Sequence, residues 1–437
     1  MQNRLVSWWF DWQQSLWFLP AVLTLGATAL ALLMVRLDQT LALSPSGHYT
    51  WAFGGGASGA RGVLEAIAGS MITVTGTVFS ITIVALQLAS SQFSPRVLRA
   101  FTSDRGVQLV LGVFVGTFTY SLLVLRSVRS EIEDGAAFVP SVSVTVAVGL
   151  ALVSIGSLIY YIHHVARSIQ VATVADRVAQ DTHRLIDEVF NDKLDDSAPT
   201  STDESEQSNR AHDGEHVKIS ATASGYLQRI DDSLLFEQAD DRPVTIQSQI
   251  CIGDFVLAGA IIATIWPVSA VTEERNEAIR AAHILGLERS LAEDVDFGLR
   301  QLADIAVKAL SPGVNDPTTA TDCIDRIAEL IGQIVRRHPP STIHHQPDSH
   351  VTVIRARRSV EQLVDTAFTQ IRLYGVGDVV VMTHLVDLLG QLASIALPRH
   401  RLVLVEQGRQ ILAAVEHRNY LPSDRERIIS AADWTQW

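Results

Sequence analysis

Four apolar stretches fall within the first 165 residues, running from Leu16 to Val35, Val63 to Ala89, Val107 to Leu125 and Val139 to Ile162. A helix rises about 1.5 Å per residue, so each is long enough to cross the roughly 30 Å of hydrocarbon in a bilayer. The first stretch stops at Arg36 and Asp38. It is long for the apolar part of a signal peptide, lacks a small-residue cleavage site, and follows an aromatic cluster of Trp8, Trp9, Phe10, Trp12 and Trp17. Aromatics there suit a membrane interface, so the stretch reads as a retained helix. The composition agrees, being 47% hydrophobic and 19% charged with a mean hydropathy of +0.21. A net charge of −13 without a basic stripe argues against a nucleic-acid partner. Cys251 and Cys323 match neither a disulfide framework nor a zinc spacing.

Arginines near the helix ends set the expected orientation. Arg96, Arg99 and Arg105 lie between the second and third stretches, and Arg167 and Arg177 follow the fourth. Arg126 and Arg129 are mixed with Glu131, Glu133 and Asp134. The bias places both termini in the cytoplasm. Between the second and third stretches, SSQFSPRVLRAFTSDRG reads as an elbow or a short interfacial helix, because Pro95 disfavours helix at Ser94.

The second stretch carries Thr73, Thr77, Ser80, Gln87 and Ser91 at steps alternating between four and three, with Val84 filling the missing place. That spacing puts them on one helix face. Polar groups in lipid must face protein or water. The face is therefore either a pore-lining surface in a homo-oligomer or a seam against a neighbouring helix, where hydroxyls can also bond back to their own backbone. The third stretch holds GVFVG, Gly112 to Gly116, a spacing that lets two helix backbones approach closely.

The expected fold is an α-helical membrane protein with four transmembrane helices (1–162), followed by a cytoplasmic α+β region. Residues 163–190 read as a juxtamembrane amphipathic helix, and 191–215 as a disordered acidic linker with almost no apolar residues. Short glycine-punctuated strands make 216–267 a small β barrel or sandwich. Its rhythm is similar to barrel-sandwich domains that carry lipoyl groups, yet no lysine stands at the hairpin tip. The remainder, 268–437, reads as a helical domain interrupted by one alternating run, His350 to Ile354.

Two further constellations are candidates for chemistry. Ser311, Asn315, Asp316 and Thr318 gather at a sharp turn between two helices. Asn315 or Asp316 can cap the following helix, and the same helix start could hold an anion, although an Asp316 carboxylate would occupy that positive field. His338, His344, His345 and His350 lie in a proline-rich stretch. Imidazoles suit zinc or nickel, but prolines point to an exposed connection, so no metal and no cofactor are expected.

The run ALSPGVNDPTTA (Ala309 to Ala320), the run SSQFSPRVL (Ser90 to Leu98) and the four-span layout resemble the domain of unknown function 2254 family of bacterial inner-membrane proteins. The resemblance implies an inner-membrane protein with a cytoplasmic C-terminal part and supplies no catalytic residues. No nucleophile elbow, Walker loop, zincin, kinase or dinucleotide motif is present, so an enzyme is not expected. The leading expectation is a homo-oligomeric channel- or transport-type protein acting on a small ligand or ion in the lipid bilayer. The alternative is a membrane-anchored ligand-sensing or scaffold protein without transport.

Overall fold

A computed structural model describes residues 17–42, 53–92, 104–129, 138–168, 170–190, 215–237, 243–346 and 350–436. The elbow at 93–103, nearly all of the acidic linker and the first four aromatics of the N-terminal cluster lie outside those residues. The chain divides into two compact units, Met1–Thr173 and Val174–Trp437.

The first unit contains α1 (Phe18–Ala42), α2 (Ala57–Gln92), α3 (Arg105–Ser127) and α4 (Ser141–Ser168). All four are long and apolar enough to cross a membrane. Helix α3 is the hub and packs on the other three. Its Val110, Phe114, Tyr120 and Val124 are buried among Leu64 and Met71 of α2, Ala31 of α1, and Val144 and Tyr161 of α4. Gly112 and Gly116 turn toward α1: a Cβ at Gly112 would lie 3.1 Å from Pro20 Cα, and one at Gly116 would lie 3.4 Å from Ala27 Cβ. The GVFVG spacing is thus used inside the chain, because lipid gives helices little hydrophobic reason to associate and close backbone approach replaces it.

Polar groups of this unit work as single clasps. Asp38 on α1 accepts from the Val142 amide (3.0 Å), the Ser143 amide (2.8 Å) and the Ser143 hydroxyl (2.6 Å), so it caps α4 from outside. Asp104 caps α3 by accepting from the Gly106 amide, and it bonds His164 Nε2 of α4 at 2.8 Å. Tyr161 donates to the Val78 carbonyl and sits 2.7 Å from the Thr82 hydroxyl, joining α4 to α2.

The second unit begins with α5 (Val171–Val189, in this unit from Val174) and continues with β1 (Val217–Ser220), β2 (Gly225–Ile230), α6 (Asp232–Phe236), β3 (Val244–Ser248), β4 (Phe255–Val256) and β5 (Ile261–Trp266). Then come α7 (Glu273–Ala282), β6 (His283–Gly286), α8 (Val295–Ala309), α9 (Pro317–Val335), β7 (Ile343–His345) and β8 (Val351–Ile354). Helices α10 (Val360–Gly375), α11 (Val379–Ile395), α12 (Pro398–Glu416) and α13 (Pro422–Ala431) complete it.

The strands form a five-stranded sheet in the order β1-β5-β3-β8-β7 and a three-stranded sheet in the order β4-β2-β6. All pairs are antiparallel except β3 with β8, which align Val244 with Val351 through Gln247 with Ile354. Ile219, Leu227, Ile246, Ile262, Ile265, Val351 and Val353 share one core with Ile279 of α7. Strands therefore do not end at residue 267, where the sequence reading closed the β region. β8 falls on the alternating run His350 to Ile354, whereas β6 and β7 come from the part read as helical, since strands of three or four residues gain their stability from distant partners and carry little local signal. Helix α5 lies along α8 and α9, with Gly298 giving Thr182 room and with ion pairs Arg326–Asp176 (2.8 Å) and Arg337–Asp187 (2.7 Å).

Candidate functional site

On α2, Ala60, Leu64, Ala68, Met71 and Val78 are buried inward, whereas Thr73, Thr77, Ser80 and Gln87 are exposed along the opposite face. Thr73 donates to the Gly69 carbonyl (2.9 Å) and Thr77 to the Thr73 carbonyl (3.1 Å). Ser80 and Gln87 make no side-chain hydrogen bond among the described residues, and the Ser91 side chain lies outside them. The same face carries Gly62, Ala66, Gly69, Thr73, Gly76 and Ser80 at steps of four and three. Among the described residues nothing lies within 4 Å of a Cβ at Gly62, Gly69 or Gly76. This small-residue extension is visible in the sequence, but polar residues alone were used to trace the face.

In the second unit the turn Ser311–Asp316 joins α8 to α9. Asn315 takes a φ of 48°, a left-handed conformation that asparagine tolerates better than most side chains. Asp316 is the N-cap of α9, accepting from the Thr319 amide (3.1 Å) and hydroxyl (2.6 Å). Those bonds with Thr319 hold its carboxyl below the usual carboxylate range. Ser311 donates to the Lys308 carbonyl at 2.7 Å, and Thr318 is exposed in the first turn of α9. The capping geometry predicted for Asp316 is present.

The four histidines are spread out. His344 and His345 occupy consecutive positions of β7 and so point to opposite faces. His344 Nε2 lies 3.3 Å from Arg357 Nη2, His345 Nδ1 lies 3.3 Å from the Thr352 hydroxyl, and His338 Nδ1 receives Arg399. His350 contributes its carbonyl to Val244 at the start of the β3–β8 pairing. No group of three or more His, Cys, Asp or Glu side chains with metal-binding geometry occurs among the described residues.

Two charge clusters join the sheets to the helices. Arg355, just past β8, donates to Asp232 (2.9 Å), Glu293 (3.3 Å) and the Ile230 carbonyl (2.6 Å). Burial pushes the Glu293 carboxyl up and the His344 imidazole down. In the second cluster, Arg289 grips both oxygens of Asp294 at 2.8 Å and reaches Asp296 Oδ2 at 2.9 Å, while stacking 5.1 Å over the Phe297 ring. Arg358 donates to Asp254 at 2.6 Å. Sequence reasoning did not single out these groups. Their only trace is the charged rhythm of ERSLAEDVD and IRARRS, which does not say who pairs with whom.

With this geometry in hand, comparison with known proteins is informative. A family model described as predicted membrane protein (DUF2254) matches residues 13–391. The chain belongs to the DUF2254 family. An uncharacterized protein of Mycobacterium bovis and one of Mycobacterium tuberculosis are each 34% identical over 386 residues, covering 87% of this chain and 73% of theirs. No solved structure matches the chain. The DUF2254 match takes in all four candidate spans, both sheets and the helices through most of α11, so the family resemblance read from ALSPGVNDPTTA is confirmed.

Proposed function

We propose that this DUF2254 protein is a homo-oligomeric channel- or transport-type protein, assembled along α2, whose second unit regulates it. The observation that carries the reading is the open face of α2, where small residues recur at coiled-coil spacing and exposed Thr73, Thr77, Ser80 and Gln87 stand among them. An unpaired glutamine amide facing hydrocarbon is costly, whereas facing a second copy or water it is satisfied. Small residues at that spacing let helices of adjacent copies approach closely. Helix α2 has 36 residues, about 54 Å at 1.5 Å per residue, so it exceeds a bilayer core and extends the face beyond it. The reading places the protein in a bacterial inner membrane with both termini in the cytoplasm, following the arginine bias. It assigns no catalytic role.

The test is native mass of the full-length protein in detergent, followed by ion flux in liposomes. An oligomer with flux that Gln87→Glu or Thr77→Lys alters supports the reading. If Thr77→Leu and Gln87→Leu break the oligomer but never touch flux, the face is a packing seam only. A silent monomer overturns the proposal. The alternative, ligand sensing without transport, draws on a groove of about 460 Å³ between α5 and α9, lined by Asp176, His183, Arg184, Arg326 and Glu329. It predicts that a bound small ligand raises the unfolding temperature of the wild type and not of Arg326→Ala.

A further inference from the structure

The cluster around Arg289 draws on three separate chain segments, 251–254, 289–296 and the stretch before α10. The β3–β4 turn supplies Asp254 and Cys251, the segment before α8 supplies Arg289 and Asp294, the first turn of α8 supplies Asp296, and the segment before α10 supplies Arg358. Three carboxylates thus face two guanidinium groups, leaving one negative charge in excess. Asp294 and Asp296 are 3% and 5% exposed, so water screens that excess poorly.

The hydrogen bonds sharpen the imbalance. Asp294 and Asp296 share one nitrogen, Arg289 Nη2, at 2.8 and 2.9 Å. Arg358 Nε is 4.0 Å from Asp296 Oδ2, too far for a hydrogen bond, because Arg358 is committed to Asp254. Asp296 Oδ1 is fully buried and has no donor. The β3–β4 turn rests directly on this arrangement. Gly253 has a φ of 89°, and a Cβ there would run into Asp294 Oδ2 and the Arg289 guanidinium. Two buried carboxylates drawn to a single nitrogen disfavour each other's charge, and a proton on Asp294 removes the excess.

We propose that Asp294 is a proton-binding joint, which takes up one proton in mild acid and thereby tightens the tie between the β3–β4 turn and the starts of α8 and α10. Burial, which outweighs the Arg289 charge, pushes the Asp294 carboxyl up to about 6 and so sets the range of the transition. The Cys251 thiol, raised first by burial and then by Asp254, stays protonated through that range and does not compete. The inference concerns the second unit alone and does not depend on the transport reading.

The test uses the full-length protein in detergent, with unfolding temperature followed from mildly alkaline to mildly acidic pH. The Asp294 contribution to stability rises as pH falls through about 6, because the folded state then binds a proton that the unfolded chain does not, whereas the buried His283, His344 and His400 contribute with the opposite sign in wild type and variants alike. Asp294→Asn keeps an oxygen to cap α8 but loses the titration, and its rise is lost; Asp296→Asn removes a charge that raises the Asp294 carboxyl, and the rise shrinks. Asp325→Asn, at an exposed pair with His384, keeps the rise. Hydrogen–deuterium exchange of residues 250–256, compared between wild type and Asp294→Asn at equal pH, localises the effect. The turn exchanges faster in the wild type at alkaline pH, and the two proteins converge in acid. Equal pH slopes in wild type and both Asn variants, or an exchange ratio that ignores pH, would overturn the proposal. If one variant fails to fold, the other carries the same test.

Discussion

Asp38 in the first unit and Asp294 in the second are both buried, and both cap a helix, yet their charges are met differently. Asp38 is held by two amides and a hydroxyl at the start of α4, contributed across the gap between helices. Asp294 caps its own helix through the Phe297 amide and is gripped by a guanidinium. The difference follows from what drives each unit together. Between apolar spans in lipid, helix–helix contact gains little from the hydrophobic effect, so single hydrogen-bonded clasps and close glycine contacts hold the helices. In the second unit a water-driven apolar core supplies the gain and can absorb the desolvation of gathered ion pairs. The open face of α2 offers the same kind of small residues as the Gly112–Gly116 contact, but nothing among the described residues packs within 4 Å of its Gly62, Gly69 or Gly76.

The comparison can be broken most forcefully at Arg289. Arg289→Ala strands two buried carboxylates, and its expected cost at neutral pH is about 3–5 kcal/mol in the second unit. Chemical unfolding measures it; a cost near zero would mean that the pairs are incidental. Gly112→Leu attacks the first unit by forcing α1 from α3, with an expected loss of about 1–3 kcal/mol of helix-packing stability. Helicity under rising denaturing detergent reads it. Gly149→Leu, at a position with nothing within 4 Å, serves as the control and leaves the curve unchanged.

Smaller effects sharpen the contrast. Asp38→Asn replaces one acceptor with a donor facing buried N–H groups, at a cost of about 1–3 kcal/mol. Its counterpart Asp294→Asn acts mainly on pH dependence. With the folded carboxyl at about 6 and the unfolded one near its free value of 3.8, the wild type gains stability relative to the variant as pH falls between those values. Asp316→Ala removes a single exposed cap and costs about 1 kcal/mol, read as a small drop in the unfolding temperature.

Much of the helical layout was legible. The apolar stretches place α1 to α4, and the part read as helical, 268–437, holds α10, α11 and α12. The Asp316 cap and the alternating run at β8 were also readable, because caps and periodicity act over a few neighbouring residues. β7 was hidden by its three-residue length beside prolines, and the five-residue α6 by lying within the part read as strands. The arginine–carboxylate clusters were not readable, since charges are spread along the second unit and only the fold selects partners.

What this sequence determines by itself is therefore local and additive: span length, helix ends, and the polar face of α2. Only the tertiary structure decides that Gly112 and Gly116 serve α1, that β3 pairs with β8 from across the helices, and that Asp254, Asp294 and Asp296 converge on Arg289 and Arg358. The physical reason is that helix formation is scored within a few turns of chain. Strand pairing and buried charge pairing are scored by distance in space, which neighbouring residues do not encode.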